Sequence, residues 1–375
     1  MKLKLTVLAV LAIIAGASSA QDIQVVKIGH VGPISGGQAP YGKDNENGVR
    51  MAIEDLNAKN LVIGGKKVKF EVVAEDDAAD AKQGTAVAQK FCDMKVNGVV
   101  GHLNSGVTMP ASKIYNECGI PNLTPSSTNP DVTKPGYKTT FRMIASDASI
   151  GAGVAIFAAD GLKIKKVAVV DDRTSYGQGV AELFAKAAKG KNIEIVDNQF
   201  TNDKATDFSA ILTSIKSKGV DAIFFGGMHP QAGPMLRQME QLGMTNVKML
   251  AGDGPCIPDL VNMAAKASTL ANFYCAEGGL SIDKMPSGKA WKARYDAKYP
   301  GQFQVYSPYA YDAAMVLADS MVRANSVDPK VYVNEIPKTN YKGVTTTVQF
   351  DSRGELKVQD ITFSNFKGNE KKALN

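Results

Sequence analysis

Short apolar runs alternate with helix-like segments along most of this 375-residue chain, and this alternation constrains its fold more than any other feature. Strand-like runs occur at 68–73, 166–170 and 222–225, and apolar residues at helical spacing occur at 48–56 and 177–188. Strands that alternate with helices form mostly parallel sheets whose faces are covered by the helices. The sequence therefore predicts an α/β protein.

The alternation falls into two series of similar spacing, which predict two similar lobes. One series runs from about residue 24 to residue 126, and the second runs from near Phe141 to about residue 253. The stretch 124–137, which contains Pro and Thr residues, is interpreted as the first crossing between the lobes. The length also suits two domains of ordinary size.

The first twenty residues have the composition of a cleavable secretory signal. Lys2 and Lys4 precede an apolar run at 5–15, and small residues follow at 16–20. The apolar run is shorter than the roughly 20 residues of a membrane span. We therefore expect the mature chain, from Gln21 onward, to be soluble, not inserted in the membrane, and exported to the periplasm.

Charge gives little indication of a macromolecular partner. The formal net charge is +6, but the lysines are spread along the chain, which favours a solvated surface over a nucleic-acid interface. The mixed-charge segment 367–372 near the end of the chain is expected to be frayed.

The four cysteines, in an exported chain, favour disulfides over a metal site. The pairs Cys92–Cys118 and Cys256–Cys275 are preferred because their members are close in sequence, although the other two connectivities remain open. The chain has no C-x-x-C motif and only three histidines. We expect neither a metal nor a cofactor.

The motifs of common enzymes do not occur. Leu103 stands where a G-x-S-x-G motif around Ser105 would need glycine, and there is no Walker or dinucleotide-binding motif. His102 lies near Ser105 in sequence, but no orienting acid is evident. The adjacent pair Asp76–Asp77 is interpreted as solvated turn residues. The sequence therefore predicts a protein without catalytic activity.

Polar loops follow the predicted strands, where ligands bind in open α/β sheets. Ser105 precedes a helix and could bind an anion with its hydroxyl and the helical N–H groups, with a plain N-cap as the alternative. The segment 124–130 offers hydroxyls and carbonyls, or forms a simple turn. Asp253, between two glycines, could bind a cation, or is a turn aspartate. Together these groups complement a zwitterion.

Motifs along nearly the whole mature chain resemble those of the periplasmic leucine/isoleucine/valine-binding proteins of ABC importers, which have the type I periplasmic binding fold. The motifs that carry this resemblance are Gly29 to Gly32, Tyr41-Gly42, Ile53 to Ala58, Gly101-His102, Pro110 to Ser112, Thr128 to Pro130, Tyr176 to Gly179, Asp207 to Ala210 and Met235 to Gln238. As a set they are specific, although each motif alone is weak.

The resemblance implies two lobes that are joined by three crossovers and close on a ligand without catalysis. A signal peptide at 1–20 would precede a first lobe formed by 21–143 and 276–350. The second lobe would comprise 144–275 and 351–375. The implied ligand is an amino acid with an aliphatic or branched side chain, and the implied partner of the monomer is the membrane permease of an ABC importer.

The resemblance also implies roles for individual residues in binding the amino-acid head group. Ser105 would bind the α-carboxylate, and Thr128 would contact both carboxylate and ammonium. The carbonyl of Ser126 would accept a hydrogen bond from the ammonium. Asp253 would stand where the family usually has Glu as the ammonium partner, and Tyr176 would close over the ligand from the second lobe.

Four further residues are predicted to complete the binding site: Tyr41, which would line the side-chain pocket, Ser127, Met228 and His229. Met228-His229 follows Gly226-Gly227, where leucine-type proteins often carry tyrosines, and His229 has an alternative reading as a surface residue at a helix start. These departures leave other ligands open, namely an aromatic acid, a 4-amino acid or an amide. A sensory role in place of transport also remains an alternative.

Overall fold

The computed structural model describes residues 23–265 and 267–375, and the predicted signal peptide at 1–20 lies outside them. The described chain forms two mostly parallel sheets with helices on their faces, which confirms the predicted α/β class. Among the described helices, none has the length and apolar character needed to cross a membrane.

The first sheet has six strands in the order β2-β3-β1-β4-β5-β6. Its strands are β1 (Gln24–Gly32), β2 (Val62–Ile63), β3 (Lys66–Asp76), β4 (Gly98–Val100), β5 (Asn122–Thr124) and β6 (Thr140–Arg142). All neighbours pair in parallel except the short β2, which is antiparallel to β3. The carboxyl ends of the five parallel strands therefore lie at one edge of the sheet.

The second sheet has seven strands in the order β15-β14-β11-β10-β9-β7-β8. The remaining strands of the chain are β7 (Lys166–Asp171), β8 (Glu194–Phe200), β9 (Ala222–Gly226), β10 (Lys248–Ala251), β11 (Phe273–Gly278), the separate small ladder β12 (Tyr341–Lys342) and β13 (Thr347–Val348), β14 (Ile361–Lys367) and β15 (Glu370–Ala373). β7 to β11 pair in parallel, and β14 and β15 add an antiparallel hairpin next to β11.

The helices pack their apolar faces on these sheets. They are α1 (Ala39–Ala58), α2 (Ala81–Asp93), α3 (Ser105–Cys118), α4 (Asp147–Ile156), α5 (Ser175–Gly190), α6 (Ser209–Ser217), α7 (His229–Gln241), α8 (Leu260–Met263), α9 (Gly288–Lys298), α10 (Ser307–Ala324) and α11 (Pro329–Tyr332). Shorter 3-10 turns are Gly36–Gln38, Pro130–Val132, Ser268–Asn272 and Val333–Lys338, and Phe157–Gly161 is a π-helical turn that extends α4. In α1, Val49, Ala52, Ile53 and Leu56 are buried, as their helical spacing predicts.

The chain passes between the sheets three times. It leaves the first sheet after β6, returns after β11 to form α9 and α10, and enters the second sheet again at β14. α10 packs along α1, so we call the first sheet with α1–α3 and α9–α11 the first lobe. The second sheet with α4–α8 is the second lobe.

Two sequence interpretations of the chain path are wrong. The stretch 124–137 lies between β5 and β6 of the first sheet, so the first crossing comes after it. β6 has only three residues and includes an arginine, which gave no strand signal. The segment 367–372 is not frayed, because it forms the end of β14 and most of β15.

Two disulfides reinforce this arrangement. Cys92 in α2 is bonded to Cys118 at the end of α3, and Cys256, in the loop after β10, is bonded to Cys275 in β11. These are the two pairs preferred from the sequence. The second disulfide ties a loop at the carboxyl edge of the second sheet to a neighbouring strand.

Candidate functional site

A narrow cavity lies between the lobes, where the carboxyl ends of strands from both sheets meet. The space between its walls is small, about 240 Å³ when all space outside the atoms, open solvent included, is counted. Six of the residues predicted from the sequence line it: Ser105, Ser126, Thr128, Tyr176, Met228 and Asp253. Leu103, Asn104, Gly254 and Tyr306 complete the wall.

The amino terminus of α3 forms one side of the cavity. Asn104 is the N-cap residue of this helix and makes no side-chain capping bond, so the plain N-cap reading of Ser105 is wrong. The Ser105 hydroxyl accepts a hydrogen bond from the N–H of Asn129 (3.2 Å), which leaves its own proton to donate. The first N–H groups of a helix have no intrahelical acceptors and attract anions.

The loop after β5 is held in place by a buried arginine that the sequence reading missed. Nη1 of Arg142 donates to the carbonyls of Ser127 (2.7 Å) and Asn129 (2.8 Å). Its other nitrogens form a two-pronged ion pair with Glu355, and the Arg142 side chain is fully buried. The loop therefore has a fixed shape that presents Thr128, whose buried Oγ1 has no hydrogen-bond partner in the described part of the chain.

Asp253 faces the cavity from the second lobe. Its Oδ2 accepts a hydrogen bond from the hydroxyl of Tyr306 (2.9 Å), whereas its buried Oδ1 has no partner among the described residues. The hydroxyl of Tyr176 accepts a hydrogen bond from the N–H of Gly254, the residue that follows Asp253 (2.8 Å). Burial raises the pKa of Asp253 to about 6, against the lowering effect of the hydrogen bond from Tyr306 and of the nearby Tyr176 hydroxyl.

A second buried acid, Asp147, lies near Asp253 at the start of α4. Both of its carboxyl oxygens are buried without a partner in the described residues, and its N–H donates to the carbonyl of Thr128 (2.8 Å). Burial raises the pKa of Asp147 well above its ordinary value, and the negative charge of Asp253 raises it further. Among the described residues, no cation is therefore bonded directly to Asp253 in the cavity wall or to Asp147 behind it, and such contacts would stabilise their ionised forms.

The other predicted residues lie behind the cavity wall. The Tyr41 hydroxyl is hydrogen-bonded to the carbonyl of Gly254 and to Nδ1 of His229, and the Ser127 hydroxyl donates to the carbonyl of Leu103 (2.9 Å). His229 is fully buried, so its reading as a surface residue is wrong, and burial lowers its pKa. These residues support the wall from behind.

Direct hydrogen bonds join the two lobes beside the cavity. Tyr41 of the first lobe donates to the carbonyl of Gly254 in the second lobe, and Tyr306 of the first lobe reaches Asp253. The Nδ2 of Asn129 donates to the carbonyl of Ser175 at the start of α5 (2.6 Å). The structure is therefore a closed form, with the cavity enclosed between the lobes.

The interpretation of Asp77 as a solvated turn residue is wrong. Asp77 is fully buried, and its Oδ2 contacts Nδ1 of His102 (2.8 Å), whose Nε2 contacts the Tyr115 hydroxyl (3.0 Å). His102 therefore has an orienting acid, but its second nitrogen faces a tyrosine and not Ser105. This network joins the loop after β3 to the loop after β4 and to α3. In the described part of the chain, no cluster of His, Cys, Asp or Glu could hold a metal ion.

Sequence reasoning missed Tyr306, Asp147 and Arg142. Asp147 follows the carboxyl end of β6, so the rule that selected the other loops would have found it had β6 been recognised. Tyr306 precedes α10 and reaches the cavity only because that helix returns to the first lobe. No local pattern distinguishes it from the other tyrosines of the chain.

Two lobes with opposed strand ends, joined by three crossings and enclosing a small polar cavity, define a two-domain ligand-binding protein. A periplasmic binding protein family model matches residues 25–371, and the chain belongs to this family. Because these proteins bind ligands without transforming them, the chain is not an enzyme.

Named relatives match the chain over most of their length. An amino acid binding protein of Pseudomonas aeruginosa is 33% identical over 336 residues, which cover 89% of this chain and 88% of the relative. Leu/Ile/Val-binding protein homolog 1 of Brucella abortus is 34% identical over 327 residues, covering 87% and 86%. The crystal structure of the leucine-binding protein LivK of Thermotoga maritima superposes with a TM-score of 0.86 at 28% identity, covering 93% of this chain and 98% of LivK.

Proposed function

We propose that this chain is the substrate-binding protein of an ABC importer and that it binds an amino acid with an aliphatic, branched side chain between its lobes. The observation that carries the proposal is Asp253, a buried acid in the cavity wall whose Oδ1 has no partner among the described residues, with a second buried acid, Asp147, close enough for the two charges to interact. A ligand ammonium would supply the missing positive charge.

The part of the cavity wall that the first lobe supplies suits a carboxylate. The amino terminus of α3 offers N–H groups, the Ser105 hydroxyl has a proton to donate, and the Thr128 hydroxyl is buried without a partner in the described residues. These groups come from the first lobe, so the ligand would dock there through its carboxylate. Tyr176 and Asp253 would then approach with the second lobe and enclose the head group.

The side-chain preference follows from the apolar part of the cavity wall and from the named relatives. Leu103 and Met228 are the aliphatic side chains in the cavity wall, and they would pack against an apolar ligand side chain. The relatives named for amino acids and for leucine, isoleucine and valine support the same assignment. Tyr41 and His229, which stand behind the wall, would shape the pocket indirectly.

Calorimetry on protein that has been unfolded, dialysed free of ligand and refolded tests this proposal. Leucine, isoleucine, valine and alanine would be compared with two analogues of leucine: 4-methylpentanoate, which lacks the ammonium, and isoamylamine, which lacks the carboxylate. We expect tight binding of an aliphatic amino acid and weak binding of both analogues. Preferential binding of 4-methylpentanoate, an aromatic acid or an amide would contradict the amino-acid assignment.

Ligand affinity should fall at acidic pH. Burial raises the pKa of Asp253 to about 6 in this closed structure without ligand, and a bound ammonium would lower it, so binding to this form below that pKa must displace a proton. The affinity for the amino acid is therefore fully present above about pH 6 and decreases by up to about tenfold per pH unit below it. Titrations between pH 4.5 and 8 check this result. A constant affinity over that range would show that no group in the site changes protonation.

Transport is the second part of the proposal. A cleavable signal at 1–20 would export the chain to the periplasm, and the closed form would be the one that a membrane permease receives. Deleting the gene should abolish high-affinity uptake of the radiolabelled ligand, and the mature protein should occur in the periplasmic fraction. Intact uptake combined with a lost transcriptional response to the ligand would instead indicate a sensory role.

A further inference from the structure

The loop that carries Asp253 is attached to β11 through Cys256, three residues after Asp253. We call residues 253–258 the Asp253 loop. The side chain of Cys256 is covalently bonded to Cys275 in β11. The N–H of Cys256 donates to the carbonyl of Asp253 (3.0 Å), so the attachment point is one short turn from the carboxylate that faces the cavity. A shift of Cys256 therefore moves the backbone of Asp253.

A second attachment comes from the last strand of the chain. Nζ of Lys371, in β15, donates to the carbonyl of Cys256 (2.9 Å). The same ammonium forms an ion pair with Glu277 of β11 (2.5 Å). Lys371 therefore clamps the backbone of the Asp253 loop to the strand that already holds the Cys256 side chain.

This ion pair is largely buried. The side chains of Lys371 and Glu277 are only 16% and 12% exposed, and the second oxygen of Glu277 accepts a hydrogen bond from Ser364 (3.2 Å). The neighbouring Lys372, in contrast, is 51% exposed and pairs with the exposed Glu370. Removing one member of a buried pair is costly because the other charge remains without a partner.

The pair also acts on Asp253 through its charge. The negative charge of Glu277 raises the pKa of Asp253, and the ammonium of Lys371 lies against that same carboxylate. Without Lys371, the uncompensated Glu277 would favour the neutral form of Asp253 more strongly. Lys371 thus supports both the position and the ionised state of the group that faces the ligand.

We propose that Lys371 is a positioning residue for the ammonium end of the site: through the Cys256 carbonyl and Glu277 it holds the Asp253 loop in its binding geometry. This role rests on the proposed function, because it requires Asp253 to bind the ligand ammonium. The hairpin of β14 and β15 lines no part of the cavity, but under this proposal it affects the ligand affinity.

The first test compares Lys371→Met with Lys372→Met by calorimetry, using leucine or whichever aliphatic amino acid binds the wild type. Lys371→Met should weaken binding by about tenfold, a typical size for residues that act through a shared network. The midpoint of the pH dependence should also move upward, a shift that a purely structural role would not produce. Lys372→Met should bind like the wild type. Equal affinities for the two variants would overturn the proposal.

A double-mutant cycle with Asp253→Asn separates this inference from the proposed function. If Lys371 acts through Asp253, Lys371→Met should have little further effect in the Asp253→Asn background. An equal loss in both backgrounds would mean that Lys371 acts elsewhere and would overturn the inference alone. Unchanged binding by Asp253→Asn itself would instead contradict the proposed role of Asp253.

A second variant guards against misfolding of Lys371→Met. Lys371→Met combined with Glu277→Gln leaves no unpaired charge, but it still removes the contact to the Cys256 carbonyl. We expect this double variant to fold, with a circular dichroism spectrum like that of the wild type, and to bind more weakly than Lys372→Met. Wild-type affinity in the folded double variant would exclude a positioning role for Lys371.

Discussion

Asp253→Asn should weaken binding of the amino acid by about 2–5 kcal/mol, the usual result of removing one partner of a buried charge pair. Asn keeps the shape of the side chain and an oxygen that can accept from Tyr306, but it cannot balance the charge of an ammonium. The loss should therefore be specific to the charged ligand. Calorimetry with the aliphatic amino acid measures it directly.

Asp160→Asn is the control for this prediction. Asp160 also lies in the second lobe and pairs with Lys191, but it is exposed and remote from the cavity wall. Its replacement should leave the affinity unchanged. The Asp253 variant should also lose the decrease in affinity below pH 6. Wild-type affinity in Asp253→Asn would show that another group, with Asp147 the nearest candidate, receives the ammonium.

Arg142→Met should destabilise the protein by about 3–5 kcal/mol, because it leaves Glu355 buried without its partner. It also removes the donors to the carbonyls of Ser127 and Asn129, so the loop that presents Thr128 loses its support. Urea unfolding measures this change as a lower midpoint, which converts to free energy if the slope is unchanged. Ligand affinity should fall as well, since this loop would bind the head group.

Two variants make the Arg142 prediction specific. Arg50→Met breaks an i, i+4 ion pair with Glu46 in which the arginine is 45% exposed, and it should cost less than about 1 kcal/mol. Arg142→Met combined with Glu355→Gln should be more stable than Arg142→Met alone, because no unpaired charge is left. Equal unfolding midpoints for Arg142→Met and Arg50→Met would mean that the buried pair contributes little to stability.

The parts of this molecule that could be predicted from its sequence are those with a local signal. The spacing of apolar residues reflects the period of each strand or helix and can be recognised in a segment of a few residues. The α/β class could therefore be predicted from such short segments. Ser105, Thr128 and Asp253 were found because each directly follows a strand, and parallel strands bring their carboxyl ends to one edge. These residues line the cavity in the structure, and their roles in binding remain proposals.

The parts that were missed depend on contacts between distant segments. Arg142 and Glu355 are 213 positions apart in the chain, and nothing near either residue marks it as one half of a buried pair. Asp77 looked like a solvated turn residue because its partner, His102, belongs to another strand–helix connection. Tyr306 reaches Asp253 only through the return of the chain to the first lobe. One sequence carries no local trace of such pairings.

The hydrogen bonds that run directly from lobe to lobe have a consequence for redesign. The Tyr41–Gly254 and Asn129–Ser175 contacts are made by residues that would be shared by every complex, whatever side chain the ligand carries. These contacts would contribute the same free energy to closure with every ligand, so their contribution would cancel in the difference between two binding free energies. Under the proposed function, selectivity would therefore be encoded by the few residues of the cavity wall, such as Leu103 and Met228. A library restricted to those positions can change the ligand and leave the closing motion intact.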